Sequence, residues 1–418
     1  MPYYNVHSHI FTMSNAPEKF LHLYMPEVAA NIVDMITRTK AGAKSLSWLL
    51  SKLPSNVAKR YASFLRIGKS NNPADVFEIL LKEYNDPEVK FIVLTMFMEE
   101  CGAGKSQTLY QGQLDQVVEV QRRYPGRLLA FLGVDPRWTK PGQTLLEIVQ
   151  ENFQLKVPGT SLPAFVGIKL YPSTGFYAFD KKLMATMEWA ADNDIPVLSH
   201  CSYMGGIYNN DTGFIKGYLN TEDPYNNNQQ YPAAYQGGTN FLKWLIGTNT
   251  SSNNLKTCSY FLEPESFRSM LQALKKKGKD LKLCLAHYGG GEHILAEHGK
   301  KTIDENKLCG IRKQNWCGQI KDLMKEFPKV CTDISYAVHD PEVHKVILPE
   351  KGDPDFVDRI MFGTDFFLSE REKKEKDIYQ AFLQKANKKI FSTGKTGWQQ
   401  LASDNVEVFL NSKLYKTK

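Results

Sequence analysis

Asn5-Val6-His7-Ser8-His9 sets two imidazoles one residue apart at the close of an apparent first strand. Successive side chains of a strand point to opposite faces, so His7 and His9 project from the same face, roughly 7 Å apart along the backbone. Two neutral imidazoles placed this way can grip one divalent cation. Taken alone, H-x-H fits equally well an exposed edge strand with two chance histidines. What decides between the two is the rest of the chain.

Short apolar runs recur at residues 91–96, 128–134, 165–171, 196–200, 281–287, 330–333 and 359–365. Helical periodicity separates several of them, over residues 109–123, 143–153 and 181–193. Apolar strands alternating with helices imply a parallel sheet buried on both faces. With the histidine strand the runs number eight, which predicts closure into a (β/α)8 TIM barrel. The absence of G-x-G-x-x-G after the first strand argues against an open doubly wound sheet.

Three stretches depart from this rhythm. Residues 15–85 read as a helical insert after strand one, with helical spacing over residues 28–36 and 45–53 and breaks at Pro54 and at Ser70-Asn71-Asn72-Pro73. Asn72-Pro73 fits a cap and first-turn proline. Residues 201–260 form a cap insert after strand five, rich in Asn, Gly and Tyr as far as residue 255. Residues 289–327 make a second long excursion after strand six, and residues 398–414 read as a closing amphipathic helix. The expectation is one domain spanning residues 1–418.

Composition agrees with a globular enzyme-sized chain: 418 residues, 42% hydrophobic, 23% charged and a net charge of +7. Lysines sit in short runs such as Lys275-Lys276-Lys277, without the aromatic-interleaved basic stripe of a nucleic-acid site. No run reaches the ~18 apolar residues of a membrane span. The N-terminus lacks a basic region followed by an apolar one, so a cytoplasmic location is expected. Seven scattered cysteines include no C-x-x-C pair; Cys284 and Cys331 lie in apolar runs and read as core residues, and a staple between Cys309 and Cys317 is not expected in a reducing cell. The helical insert offers a surface for a homodimer, and a small molecule is the expected substrate.

In such a barrel, catalytic groups gather at the C-terminal ends of the strands. His7 and His9 close strand one, Lys169 nears the end of strand four, His200 closes strand five, His287 strand six and Asp365 strand eight. Alternation turns Phe165, Gly167, Lys169 and Tyr171 into the lumen on strand four, and Met361, Gly363 and Asp365 on strand eight. A lysine and an aspartate pointing inward need compensating partners, which a metal centre supplies. Nitrogen-rich ligation with some oxygen suits Zn2+, with Mn2+, Fe2+, Co2+ or Ni2+ as substitutes. Asp365 can ligate, orient a water and take its proton, while His287 can stabilise an oxyanion or act as acid. Arg137 could clamp a substrate carboxylate, Tyr171 and Tyr336 could line the pocket, and Asp333 could orient a ligand histidine. His22, His293, His298, His339 and His344 fall in loops or helices and are expected in solvent.

These residues resemble the amidohydrolase superfamily. The resemblance rests on His7-x-His9, the Gly167-Ile168-Lys169-Leu170-Tyr171-Pro172 run, His200, Ala286-His287-Tyr288-Gly289-Gly290 and Phe362-Gly363-Thr364-Asp365. The branch most similar is amidohydrolase-2, which includes aminocarboxymuconate-semialdehyde decarboxylase; Val134-Asp135-Pro136-Arg137 and Asp404-Asn405 also look like that branch. The resemblance implies that His7, His9, His200 and Asp365 hold one divalent metal, with His287 adjacent. In binuclear relatives Lys169 would be carbamylated and would bridge two ions, with His200 and His287 on the second; in the mononuclear branch, favoured here, it would contact substrate. The expected activity is hydrolysis of a C–O or C–N bond in a small, carboxylated substrate. The alternatives are non-oxidative decarboxylation or hydration of an unsaturated acid at the same site, and a non-catalytic binding or scaffold protein.

Overall fold

The structure, a computed structural model, describes residues 2–18, 67, 70, 72–203, 222–225, 229–230, 258–304, 308 and 311–416. The helices expected over residues 28–36 and 45–53, most of the cap insert, His22 and Cys309 lie outside the described residues.

Eight parallel strands follow one another around a ring in chain order: β1 Tyr3–Ser8, β2 Val89–Leu94, β3 Leu128–Val134, β4 Gly167–Leu170, β5 Val197–Ser202, β6 Leu283–Gly289, β7 Val330–Asp333 and β8 Ile360–Met361. Hydrogen bonds from Val6 N to Phe362 O (3.0 Å) and from Asp365 N to His7 O (2.9 Å) join the last strand's extension to the first and close the barrel. Helices form where the spacing predicts them, among them α1 Pro73–Tyr84, α2 Tyr110–Arg123, α3 Leu145–Gln154 and α4 Lys181–Asp192. Asn72 caps α1 by accepting from Asp75 N at 3.1 Å, with Pro73 in the first turn, where a missing N–H is harmless. Thr144 and Glu147 form a reciprocal capping box on α3. Among the described residues, no helix is long and apolar enough to cross a membrane.

The lumen is apolar below and polar above. Tyr4, Val6, Phe131, Leu198, Cys284 and Met361 fill its lower part, and Val406, Phe409 and Leu410 of the last helix plug the floor. That helix begins at Gly397, widens into a π-type stretch at Gln400–Asp404 and ends at Leu410, short of the residue 414 expected. Ile168, Leu170, Ile360 and Phe362 pack in the outer shell instead. On β4 the expected alternation holds for Gly167 to Leu170 but reverses before it: Val166 joins the lumen cluster and Phe165 the outer one, because the regular strand starts only at Gly167. Gly167 is required where it stands, since a Cβ there would lie 2.5 Å from the Phe131 ring that fills the lumen.

β1 carries the irregularity that matters most for the site. Its register against β2 slips between Asn5 and Ser8, so three steps on β1 match two on β2. Such a bulge re-aims side chains. Val6 packs inward in the lower cluster, His7 and His9 point into the upper lumen, and Asn5 turns outward to Tyr84 and Thr364. Simple alternation correctly pairs His7 with His9 but would place Asn5 beside them.

Candidate metal centre

His7, His9, Lys169, His287, Asp333 and Asp365 are all buried at the C-terminal end of the strands. His7 Nε2 lies 3.6 Å and His9 Nε2 3.3 Å from Asp365 Oδ1. The partners of the other ring nitrogens fix the tautomers. His7 Nδ1 faces Asp333 Oδ2 at 3.1 Å, and His9 Nδ1 faces the Leu94 carbonyl at 3.1 Å. A carboxylate and a carbonyl can only accept, so each Nδ1 carries the hydrogen. Each Nε2 then presents a lone pair to a carboxylate oxygen that itself has no hydrogen-bond donor among the described residues. Three lone-pair-bearing atoms within contact distance repel one another unless a cation or proton sits among them.

His287 extends the cluster. Its backbone N–H donates to Asp333 Oδ1 at 3.0 Å, and its Nδ1 faces the Ser335 carbonyl at 3.2 Å. That leaves His287 Nε2 as an acceptor, 2.8 Å from His200 Nδ1. His200 Nε2 is buried without a hydrogen-bond partner among the described residues. His7, His287 and Asp365 form the tightest three-group cluster among the described residues, with donor atoms within 4.8 Å of one another. His9 and His200 stand at its two sides, one on Asp365 and one on His287. This puts His287 closer to the centre than an adjacent residue is expected to be.

Burial disfavours the charged form of His7, His200 and His287. The His7 pKa is lowered to about 3, chiefly by desolvation with help from Lys169, and those of His200 and His287 are lowered for the same main reason. Burial works against the charge on Asp333 and Asp365, but their imidazole neighbours outweigh it and hold both carboxyls below the usual range. His7, His200 and His287 therefore offer neutral nitrogens and Asp365 an anionic oxygen, the protonation states that bind a divalent cation. The residues present fit one.

Lys169 enters the same space from β4. Its ammonium is 1% exposed and has no hydrogen-bond partner among the described residues. Desolvation lowers its pKa to about 8, with Asp365 and Asp333 opposing the shift. Tyr171 lies beside it: Lys169 Nζ is 5.7 Å from the Tyr171 ring centre, and that ring meets His200 edge-on at 5.0 Å. A narrow cleft lined by Thr95, Phe97, Gly133, Lys169, Tyr171 and Phe176 adjoins them.

Other placements differ from the sequence reading. Arg137 does not stand as a clamp open to a substrate carboxylate. Its fork is engaged by Asp135, with Nε at 2.7 Å and Nη2 at 2.6 Å, and it also reaches the Thr174 carbonyl at 3.2 Å. His293 and His344, expected in solvent, are 3% and 2% exposed. His293 accepts from Trp316 N, and His344 bonds the Val338 carbonyl. Tyr336 hydrogen-bonds Glu372. Ser335 is a member the sequence reading lacks: its hydroxyl touches the Nδ1 atoms of His7 (3.0 Å) and His287 (2.9 Å) and donates to Asp333. Its place two residues past Asp333, at the end of β7, is the signal that could have found it. The backbone here also adopts left-handed geometry at non-glycine positions, with φ of 68° at His287 and 64° at Asp365, conformations that persist where surrounding structure imposes them.

Comparison with known proteins places the chain. The family model described as Amidohydrolase (Amidohydro_2) matches residues 87–405. No curated protein matches the chain. Among solved structures, an uncharacterized TIM-barrel protein of Bordetella bronchiseptica is similar at 13% identity, covering 97% of this chain and 98% of that one, with a TM-score of 0.47. A probable 2-pyrone-4,6-dicarboxylic acid hydrolase of Acinetobacter baumannii with citric acid bound gives 13%, 98%, 99% and 0.46. A 5-carboxyvanillate decarboxylase mutant of Novosphingobium aromaticivorans with bound manganese gives 12%, 98%, 97% and 0.45. At such identities the assignment rests on the family model, which spans most of the barrel: this chain belongs to the amidohydrolase family and is an enzyme of that family.

Proposed function

We propose that this enzyme is a metal-dependent hydrolase that cleaves a C–O or C–N bond of a small, carboxylated substrate. The observation that carries the reading is the convergence of the His7 and His9 Nε2 lone pairs on the orphaned Asp365 Oδ1. His7, His9, His200 and Asp365 would hold one divalent cation, Zn2+ first among the candidates, with His287 close beside His7 and Asp365. When bound, such a cation acts as a Lewis acid that acidifies water and polarises a substrate oxygen.

The chain's own groups do the rest. Asp333 and the Leu94 carbonyl hold the two β1 imidazoles in one tautomer. Asp365, kept ionised, is placed to accept a proton from the attacking water and return it to the leaving group. His287, fixed by Ser335 at Nδ1, is placed to hold or pass a proton at Nε2. Lys169, a buried ammonium with no hydrogen-bond partner among the described residues, supplies the charge for a substrate carboxylate. The lysine is also what supports a second reading, non-oxidative decarboxylation, since it would hold the departing carboxylate inside the site. Turnover of a panel of lactones, amides and unsaturated or aromatic carboxylic acids in 18O-labelled water separates the two. Label in the product supports hydrolysis; release of carbon dioxide without label in the organic product supports decarboxylation.

A further inference from the structure

We infer that Asn5 is a positioning residue for the cation site, acting by locking the seam between β1 and β8 at the point where the two strands deliver His7 and Asp365. The inference rests on the metal reading above and adds a residue to it.

Asn5 is wholly buried, and every hydrogen-bonding capacity of its side chain is filled. Oδ1 accepts two backbone N–H groups, those of His7 and Thr364, each at 3.1 Å. One belongs to the first candidate ligand, the other to the residue immediately before Asp365. His7 N needs this acceptor because the bulge displaces the β1–β2 ladder between Asn5 and Ser8, Thr364 N reaches the same atom from the β8 side, and a buried N–H without an acceptor is destabilising. The side chain thus stands in for a missing piece of backbone.

The amide orientation is forced from the other side. Nδ2 donates to Thr364 Oγ1 at 2.7 Å and to Tyr84 OH at 2.9 Å. Both hydroxyls in turn donate to Glu375 Oε1, at 2.6 Å and 3.0 Å. With their hydrogens directed to the carboxyl, they offer only lone pairs to the amide, so Nδ2 faces them and Oδ1 faces the seam. Glu375 opens a helix, Glu375–Lys388, and Tyr84 closes α1. Asn5 therefore ties two outer helices to the backbone of the two strands on which the candidate ligands converge. The Asn5 side chain meets the candidate ligand strands at the backbone of His7 and Thr364, so its effect on the site passes through His7 and Asp365.

The test is the affinity of the full-length protein for Zn2+ and Co2+, measured by competition with a chromogenic chelator, together with the visible spectrum of the Co2+ form. N5A removes the shared acceptor. T364V keeps the shape of the strand but removes the hydroxyl that fixes the amide. N5D keeps the acceptor for both N–H groups. Expected results are at least tenfold weaker binding and an altered Co2+ spectrum in N5A, a smaller loss in T364V, and recovery to within threefold of wild type in N5D. Wild-type affinity and spectrum in whichever of N5A and T364V folds overturns the inference while leaving the metal reading intact. Failure of the wild-type protein itself to bind either ion overturns both.

Discussion

The imidazoles of His200 and His287 meet nitrogen to nitrogen, with His287 Nε2 2.8 Å from His200 Nδ1. Because Ser335 fixes the His287 hydrogen on Nδ1, the contact requires His200 to donate. In the metal reading His200 would help hold the cation, while His287 would stand beside it as acid or base. The two histidines then separate by role. H200A is expected to lose metal affinity by more than tenfold. H287N is expected to keep its metal while kcat falls by about 10²–10⁴-fold, the usual contribution of a positioned acid or base. Metal content and single-turnover rates of both variants check this; loss of metal in H287N would make His287 a ligand.

Asp333 anchors His7 at 3.1 Å and also accepts from the backbone of His287 and Ser335. D333N keeps an acceptor for the backbone but weakens the hold on the His7 tautomer. Metal affinity is expected to fall about 10–100-fold with little change in fold, measured by chelator competition and circular dichroism.

Glu375 gives a pH signature independent of the site's histidines. Burial pushes its carboxyl up to about 8, against the hydrogen bonds from Thr364 and Tyr84 that favour its charge. A raised carboxyl means that the folded protein holds the proton more tightly than the unfolded chain, whose value is about 4.3. The resulting stabilisation is complete below that unfolded value and is lost as pH rises through about 8. E375Q, which cannot ionise, is expected to match wild type near pH 5 and to exceed it by on the order of a few kcal/mol at pH 9. Urea denaturation at the two pH values checks the sign.

Lys169 distinguishes a substrate contact from a metal bridge. As a carboxylate contact, its change to Met is expected to lower kcat/KM about 10–100-fold for carboxylated substrates, mainly through KM, and to leave metal stoichiometry unchanged. As a carbamylated bridge, K169M would lose metal, and the wild-type protein would show a bicarbonate-dependent gain in intact mass.

Much of this was legible in the chain because strand-end placement is a property of sequence order. Apolar runs located the eight strands, and His7, His9, His200, His287 and Asp365 fall at strand ends whatever the details of packing. The bulge in β1 was not legible, since there the His7 N–H turns to the Asn5 side chain, an exchange that alternation does not encode. The engagement of Arg137 by Asp135 was hidden in plain sight, two residues apart in one turn, but a fork that reaches back and a fork that reaches forward have the same sequence. His293 and His344 belong to short helices, Gly291–Glu297 and Pro341–Ile347, too brief for periodicity to tell which face is buried.

The central claim is that side chains from opposite ends of the chain share one cation. Elemental analysis of purified protein, before and after exhaustive chelation and in H7A and D365N, tests it most directly. The account predicts about one divalent ion per chain in the wild type, removed by the chelator together with turnover, and less than a tenth of that in either variant. Unchanged metal content in both variants would contradict it.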